Sequence, residues 1–529
     1  MTPHIPSVRR FFLAATAATL LPLGASAEVK LPALFSEHMV LQRDQVVPVW
    51  GWADAGEEVT VTIGKQTKKT KAGADKKWSV KLDKLSAGEL GTMTVKGTNT
   101  IEIPDVLVGE VWLCSGQSNM GFTVNRAVNF EQEKAAADLP KLRMFTVLSG
   151  TAPAPEEDCK GKWVICSPDT VGTFSAAAYF FGRDLHAKLN VPMGLINSSV
   201  GGTAIESWTS WDAQKDVASL KFIFDSWDQR IAAYDPEKSK AAYEKQKAAW
   251  QTAADKAKAE GKPAPNAPRA PSEPKKDANR PANLFNGKIA PLVPYAIRGA
   301  IWYQGESNAD TVQRGAAYRV QLPLMIADWR KRWGSDFPFA WVQLPDFNAK
   351  NPEGWSLVRE AMLKSLKIPK TGMAVALGLG EAGDIHPKRK QEVGKLLATW
   401  ALADVYAPKP GKKAKAEPQT AMGPLYSGSK ISGKEVTVTF TQAAGLTAKD
   451  GEVKGFTIAG EDKQWKPATA KIVKGSVVVS SPEVAKPLAG RYAWASNPEW
   501  SLVNAAGIPA SPFRTDDWPA VEAAPATKP

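Results

Sequence analysis

Residues 111–120 read VWLCSGQSNM. A short continuous apolar run is the mark of a strand buried on both faces. Its stop at Gly116-Gln117-Ser118-Asn119 is either a plain turn into a helix or the place where a nucleophile is raised at a sheet edge. Four further runs have the same character: MGLINSS at 193–199, IRGAIWYQG at 297–305, FAWVQLP at 339–345 and GMAVALGL at 372–379. Helix-compatible segments lie between them, among them 175–189 and 388–407. The pattern predicts a three-layer α/β/α domain built on a mostly parallel sheet. Ligands of such sheets collect beyond the carboxyl ends of the strands. The residues that follow the runs are therefore the informative ones: Gly116-Gln117-Ser118-Asn119, Val200-Gly201-Gly202-Thr203, Gln304-Gly305-Glu306-Ser307-Asn308 and Gly383-Asp384-Ile385-His386-Pro387.

The flanks differ from this centre. From Glu28 onward, short β-prone runs such as EEVTVTI and KWSVKL are broken by turn residues, which predicts an N-terminal β domain over 28–105. The same texture returns over 421–518, a C-terminal β-rich, sandwich-like region. The α/β centre then spans 106–407, interrupted at about 235–282 by a Lys/Ala/Pro-rich insertion. Residues 408–420 read as a linker and 519–529 as a tail. At the start, Arg9 and Arg10 precede the apolar run FFLAATAATLLPLG, and Ala25-Ser26-Ala27 suits a signal peptidase. Residues 1–27 are thus expected to be an export signal, of the twin-arginine or the general secretory type, giving a periplasmic or extracellular protein. No later run reaches the roughly 18 apolar residues of a spanning helix.

The 67 basic and 54 acidic residues leave a net charge of +13. Much of the excess lysine sits in the insertion and in PKPGKKAKAEP at 408–418, without the interleaved aromatics of a nucleic-acid groove, so no nucleic-acid partner is expected. The 19 tryptophans are more often core than sugar platform. Three cysteines are too few for a disulfide scaffold. Cys159 and Cys166 are placed to close a small loop, and Cys114, inside the apolar run, reads as a buried inert thiol.

A serine hydroxyl needs a base before it attacks, and imidazole is the usual one. Of the four histidines, His4 falls in the export signal, His38 in the β domain and His186 in the helix at 175–189. His386 alone stands in a strand-exit loop of the centre. Asp384, two residues earlier, can orient the ring and stabilise its charged form. It can equally cap the following helix, with Pro387 in the first turn. Donors for an oxyanion are the backbone N–H of Ser118 and of Gly202 and the side chain of Gln304 or Asn308. Gly201-Gly202 also reads as a plain strand-to-helix turn. No His/Cys cluster has metal-ligand spacing, and neither a phosphate loop nor a GxSxG elbow is present, so neither metal nor organic cofactor is expected.

The blocks GQSNM, SSVGGTAIESW, WYQGESN and DIHP together resemble the sialate O-acetylesterase family, a branch of the SGNH or GDSL-like hydrolases. LFSEHMVLQR near the start, and RYAWASNP and SPFRTDDW near the end, extend the resemblance to the flanks. It implies Ser118 as nucleophile, Asp384 and His386 as acid and base, and Ser118, Gly202 and Gln304 around the oxyanion. Gln117, which stands where GDSL enzymes have Asp, is a candidate for substrate contact or support, as are Asn119, Glu306 and Asn308. The implied activity is removal of O-acetyl groups from sialic acid or related sugars through an acetyl-serine intermediate. The same chemistry on acetylated xylan or another polysaccharide is the alternative, and a non-catalytic carbohydrate-binding surface protein is an alternative of another class.

Overall fold

The computed structural model describes residues 1, 2, 4, 28–268, 270–407 and 421–520. The expected export signal, apart from residues 1, 2 and 4, the linker 408–420 and the tail beyond 520 lie outside the described residues. Among these, no helix is long and apolar enough to cross a membrane.

The N-terminal strands are β1 (Val40–Gln42), β2 (Val47–Trp52), β3 (Glu58–Ile63), β4 (Gln66–Lys71), β5 (Lys77–Leu82), β6 (Gly88–Lys96) and β7 (Thr100–Gly116), with apolar and polar residues alternating most clearly in β3 and β5. Val59, Val61 and Ile63 of β3 and Trp78, Val80 and Leu82 of β5 turn inward while their neighbours meet solvent. One sheet runs β4-β3-β6-β7-β1, and β2 pairs with β5 separately. β7 is 17 residues long and crosses the expected boundary at 105/106. Its first half pairs with β6, and its second half is the middle strand of the central sheet. At the crossing, Asp105 has φ 54° and accepts from Arg143 at 2.6 and 3.1 Å and from His38 at 2.5 Å.

The central sheet adds β8 (Leu139–Thr146), β9 (Trp163–Cys166), β10 (Met193–Ser199), β11 (Gly299–Tyr303), β12 (Phe339–Gln343) and β13 (Thr371–Val375), in the order β13-β12-β11-β7-β10-β8-β9. Every pairing is parallel except β8 with β9. The helices are α1 (Ser118–Gly121), α2 (Phe130–Ala135), α3 (Ala176–Leu189), α4 (Trp211–Gln214), α5 (Lys221–Ala232), α6 (Pro236–Ala259), α7 (Val312–Trp333), α8 (Pro352–Ser365) and α9 (Lys390–Trp400).

Successive strand residues feed two different cores. Leu113, Ala300, Trp302 and Trp341 pack with Tyr318, Leu322 and Trp329 of α7 and Val358 of α8. Trp112, Cys114, Ile301, Tyr303 and Val342 pack with Phe180 and Phe181 of α3 and Leu397 and Trp400 of α9. Each large apolar side chain removed from water contributes about 1.5–3 kcal/mol. A one-residue slip would exchange the two faces, so register is strongly specified. Burial on both sides also explains why these strands read as continuous apolar runs.

The two cores also separate the cysteines. Cys159 belongs to one and Cys166 to the other, and the expected pairing does not occur: all three thiols are free and buried. Burial pushes the thiols of Cys159 and Cys166 up to about 12, and that of Cys114 upward as well. The insertion carries the exposed helix α6, begun by Asp235, whose carboxylate accepts from the Lys238 N–H, with Pro236 at its first position.

The C-terminal strands form two four-stranded sheets and a two-stranded one. They are fastened to the centre by buried charge. Arg514 donates to both oxygens of Glu360 on α8 at 2.8 and 3.1 Å, and within the C-terminal region Arg491 braces the same segment by donating to Asp516 at 3.0 Å twice. Arg359 of α8 reaches the carbonyls of Ala495 and Ser496. The blocks RYAWASNP and SPFRTDDW are therefore buttresses. LFSEHMVLQR has a similar part, because Gln42 and Arg43 converge with Arg298 on the fully buried Glu110.

Chain order places the crevice. From β7 the chain builds β8 and β10 on one side, then crosses to build β11, β12 and β13 on the other. The loops after β10 and β11 diverge over the end of β7, which is where open α/β sheets bind ligands.

Candidate active site

Gly116 ends β7 with φ 143°, and a Cβ there would stand 2.1 Å from the carbonyl oxygen of Tyr303. Only glycine lets the two strands stay paired while the chain turns out. The Gln117 N–H then donates to that same carbonyl at 3.0 Å. Ser118 opens the short helix α1 half-buried, with Oγ 2.8 Å from His386 Nε2. Two residues 268 positions apart in the chain thus meet at hydrogen-bond distance.

His386 lies in a turn stabilised by Asp384, whose Oδ1 accepts the His386 backbone N–H at 2.9 Å. The same oxygen is 3.7 Å from Nδ1, beyond hydrogen-bond reach, and the Asp384 side chain is 47% exposed. Its effect on the ring is a through-space attraction, weakened by solvent. The helix-cap alternative for Asp384 does not hold, because α9 begins six residues later at Lys390 and Pro387 precedes it. Burial holds the His386 imidazole below its ordinary 6.5; Asp384 opposes this, while Lys390 and Arg126 reinforce it. The neutral, proton-accepting ring therefore persists to lower pH than a free histidine. The acid limb of kcat/KM is expected below pH 6.5, as a pH–rate profile would show; a limb above that value would contradict the assignment.

The Gly201-Gly202 turn lies against the serine. A Cβ on Gly201 would be 3.2 Å from Ser118 Cβ, and Gly202 adopts φ 70°. Asn279, at the far end of the insertion, pins this turn by donating to the Gly202 carbonyl at 3.1 Å and accepting from the Ala204 N–H at 2.8 Å. Among the described residues, the N–H groups of Ser118 and Gly202 have no hydrogen-bond partner. Unpartnered backbone N–H groups beside a nucleophile are of the kind that can receive an oxyanion.

The side-chain donor expected at Gln304 or Asn308 is not free. Gln304 is fully buried and directs its amide to the Thr203 carbonyl at 3.0 Å and Asn308 Oδ1 at 2.8 Å, with Gln117 Oε1 at 3.4 Å. Tyr318 donates to its Oε1 at 2.9 Å. Asn308 Nδ2 donates to Glu206 at 2.9 Å and its Oδ1 accepts the Ile205 N–H at 2.9 Å. A buried network of this kind stiffens the crevice floor. Gln117, Gln304 and Asn308 thus sit beneath the serine as support.

Asn119 and Glu306 form a second buried group. Asn119 donates to Glu306 Oε1 at 2.5 Å and to the Ile385 carbonyl at 3.0 Å. Lys390, fully buried on α9, donates to Asn119 Oδ1 at 2.6 Å. Lys390 and Asn279 were not among the residues expected from sequence. Lys390 follows His386 by one helical turn's worth of chain, the only local signal it carries; Asn279 has none.

Three comparisons with known proteins bear on this arrangement. A family model described as carbohydrate esterase, sialic acid-specific acetylesterase, matches residues 283–403, which include His386 but not Ser118. The sialate O-acetylesterase of Rattus norvegicus is 29% identical over 521 residues, covering 90% of this chain and 91% of the relative. That of Homo sapiens is 28% identical over 542 residues, 93% of each. The crystal structure of a carbohydrate acetylesterase from Xanthomonas citri superposes with a TM-score of 0.77 at 34% identity, over 93% of this chain and all of that one. The chain belongs to the sialate O-acetylesterase family. Its members being carbohydrate esterases, this chain is a carboxylic ester hydrolase.

In this esterase a cleft of about 680 Å³ opens beside the Gly202 turn, lined among others by Trp227, Arg230, Asp277, Asn279 and Arg314. A larger one, about 970 Å³, lies between the N-terminal strands and the segment around 285–294 and includes Trp52, Lys77 and Arg332. Neither cleft is lined by Ser118 or His386; the smaller one is distinguished by Gly202, whose turn lies against the serine.

Proposed function

We propose that this esterase is exported and removes O-acetyl groups from sialic acid or related sugars through an acetyl-serine intermediate. The observation that carries the reading is the 2.8 Å contact between Ser118 Oγ and His386 Nε2. His386 takes the proton as Oγ attacks the ester carbonyl carbon. The resulting oxyanion is received by the N–H groups of Ser118 and Gly202, each such donor being worth about 2.7–4 kcal/mol. Collapse breaks the bond to the sugar oxygen, which leaves with the proton from His386. Water, deprotonated by the same ring, then attacks the acetyl group and frees acetate and Ser118. Asp384 favours the imidazolium in both halves by its charge.

Export is supported by Arg9-Arg10 ahead of an apolar run and the Ala-Ser-Ala that follows it. The sugar is supported by the rat and human relatives, which are sialate O-acetylesterases. The 34% identical structure is of a carbohydrate acetylesterase, a description that names no particular sugar, and acetylated polysaccharide is the second reading. Acetate release measured over defined acetylated glycans separates the two: O-acetylated sialic acid is expected to show a higher kcat/KM than acetylated xylan. The reverse ratio would move the assignment to polysaccharide.

A further inference from the structure

We propose that Lys390 is a positioning residue for the Ser118–His386 pair: through Asn119 it ties the nucleophile turn to the histidine loop, and its buried ammonium keeps the imidazole in the proton-accepting form. The inference rests on the proposed serine mechanism. Asn119 is next to the nucleophile in the chain, and its side chain makes three bonds to three other segments. It donates to Ile385, the neighbour of His386, and to Glu306 at the exit of β11, and it accepts from Lys390 on α9. Lys390 is the one cation in this bundle of bonds, and it lies between two rings, 4.9 Å from the centre of Phe122 and 5.0 Å from that of Tyr303. An uncompensated charge in such a place costs several kcal/mol, so it is not there by neglect.

The charged groups facing Lys390 are Glu306 from the β11 exit, Asp384 and Glu381 from the histidine loop and Arg126 from the segment after α1. Those facing His386 are Asp384, Lys390 and Arg126. Burial brings the ammonium down to about 7, against the pull of Glu306, Asp384 and Glu381. Burial also pushes the Glu306 carboxyl up, and its Oε2 has no hydrogen-bond partner among the described residues. While charged, Lys390 repels a proton from the ring. Loss of that charge lets His386 protonate more easily, and the acid limb moves to higher pH.

The test compares the full chain with Lys390→Met and Lys390→Arg, using 4-nitrophenyl acetate and an acetylated sugar across the pH range, with thermal unfolding to establish folding. Lys390→Met is expected to lose about 10²-fold in kcat/KM near neutrality, the effect of a small misalignment, and to shift the acid limb upward. Lys390→Arg, keeping the charge, is expected to retain the wild-type limb. A folded Lys390→Met with an unmoved limb overturns the proposal, as does a Lys390→Arg limb displaced as far as that of Lys390→Met. Should either variant fail to fold, ¹³C-lysine NMR of the wild type decides. One lysine titrating far below the rest, with a matching inflection in the His386 ring signals, supports the proposal, and its absence overturns it. Loss of activity in Ser118→Ala shows that the mechanism beneath stands; full activity there would show that the mechanism, and not this inference alone, had failed.

Discussion

Replacing Ser118 by alanine is expected to lower kcat by about 10⁶-fold while leaving the fold intact. The size of the effect follows from covalent catalysis. The hydroxyl oxygen is the atom that bonds to the acetyl carbon, and without it His386 has no proton to take and no acyl-enzyme forms. Losses in such a unit are not additive, so His386 cannot rescue part of the activity on its own. The fold should be indifferent because Ser118 Oγ makes its hydrogen bond to His386 and to no other described residue, and alanine suits the first turn of α1. Acetate release from 4-nitrophenyl acetate, with far-UV dichroism and thermal unfolding alongside, checks both halves. A folded Ser118→Ala enzyme within tenfold or so of wild type would remove the serine mechanism.

The second large effect is on stability. Gly116→Ala is expected to cost about 3–5 kcal/mol, combining a backbone conformation that side chains rarely adopt with a forced contact in a packed interior. The new Cβ would lie 2.1 Å from the Tyr303 oxygen and 2.7 Å from its carbonyl carbon. Neither is a flexible tip that can step aside; both are backbone of β11, paired with β7 in parallel register at Tyr303 and Gly116. Relief requires β11 to move from β7, and the same motion takes the Gln117 N–H from the Tyr303 carbonyl that anchors the serine turn. Stability and turnover should therefore fall together, seen as an earlier urea midpoint and a lower kcat. A Gly116→Ala protein with an unchanged midpoint would mean that the two strand ends are not held as close as the geometry requires.

These two positions show what was legible along the chain. The five apolar runs announced a sheet buried on both faces, because burial on both sides forbids alternation. The scarcity of histidine then left His386 as the base, and glycine at the ends of strands marked where backbone must approach closely. Strands β8 and β9 were not singled out, since LPKLRMFT carries two basic residues and a proline among its apolar ones and β9 has four residues. The flanking blocks were visible as blocks but not as buttresses, because their partners, Glu360 on α8 among them, lie far off in the chain.

What the sequence by itself determined is the layered α/β architecture, the flanking β regions, and the approach of a serine turn to a histidine loop at one sheet edge. These rest on periodicity, on glycine and on the rarity of a residue type, all of which act over a few neighbouring positions. The tertiary structure alone decided which polar group bonds to which. It spends Gln304 and Asn308 on each other and on the crevice floor, holds Asp384 3.7 Å from the ring, separates Cys159 from Cys166 between two cores, and brings Lys390 to Asn119 across 271 positions. Hydrogen bonds are short and directional, so their allocation depends on sub-ångström placement by the whole packed interior, which no local pattern in the chain records.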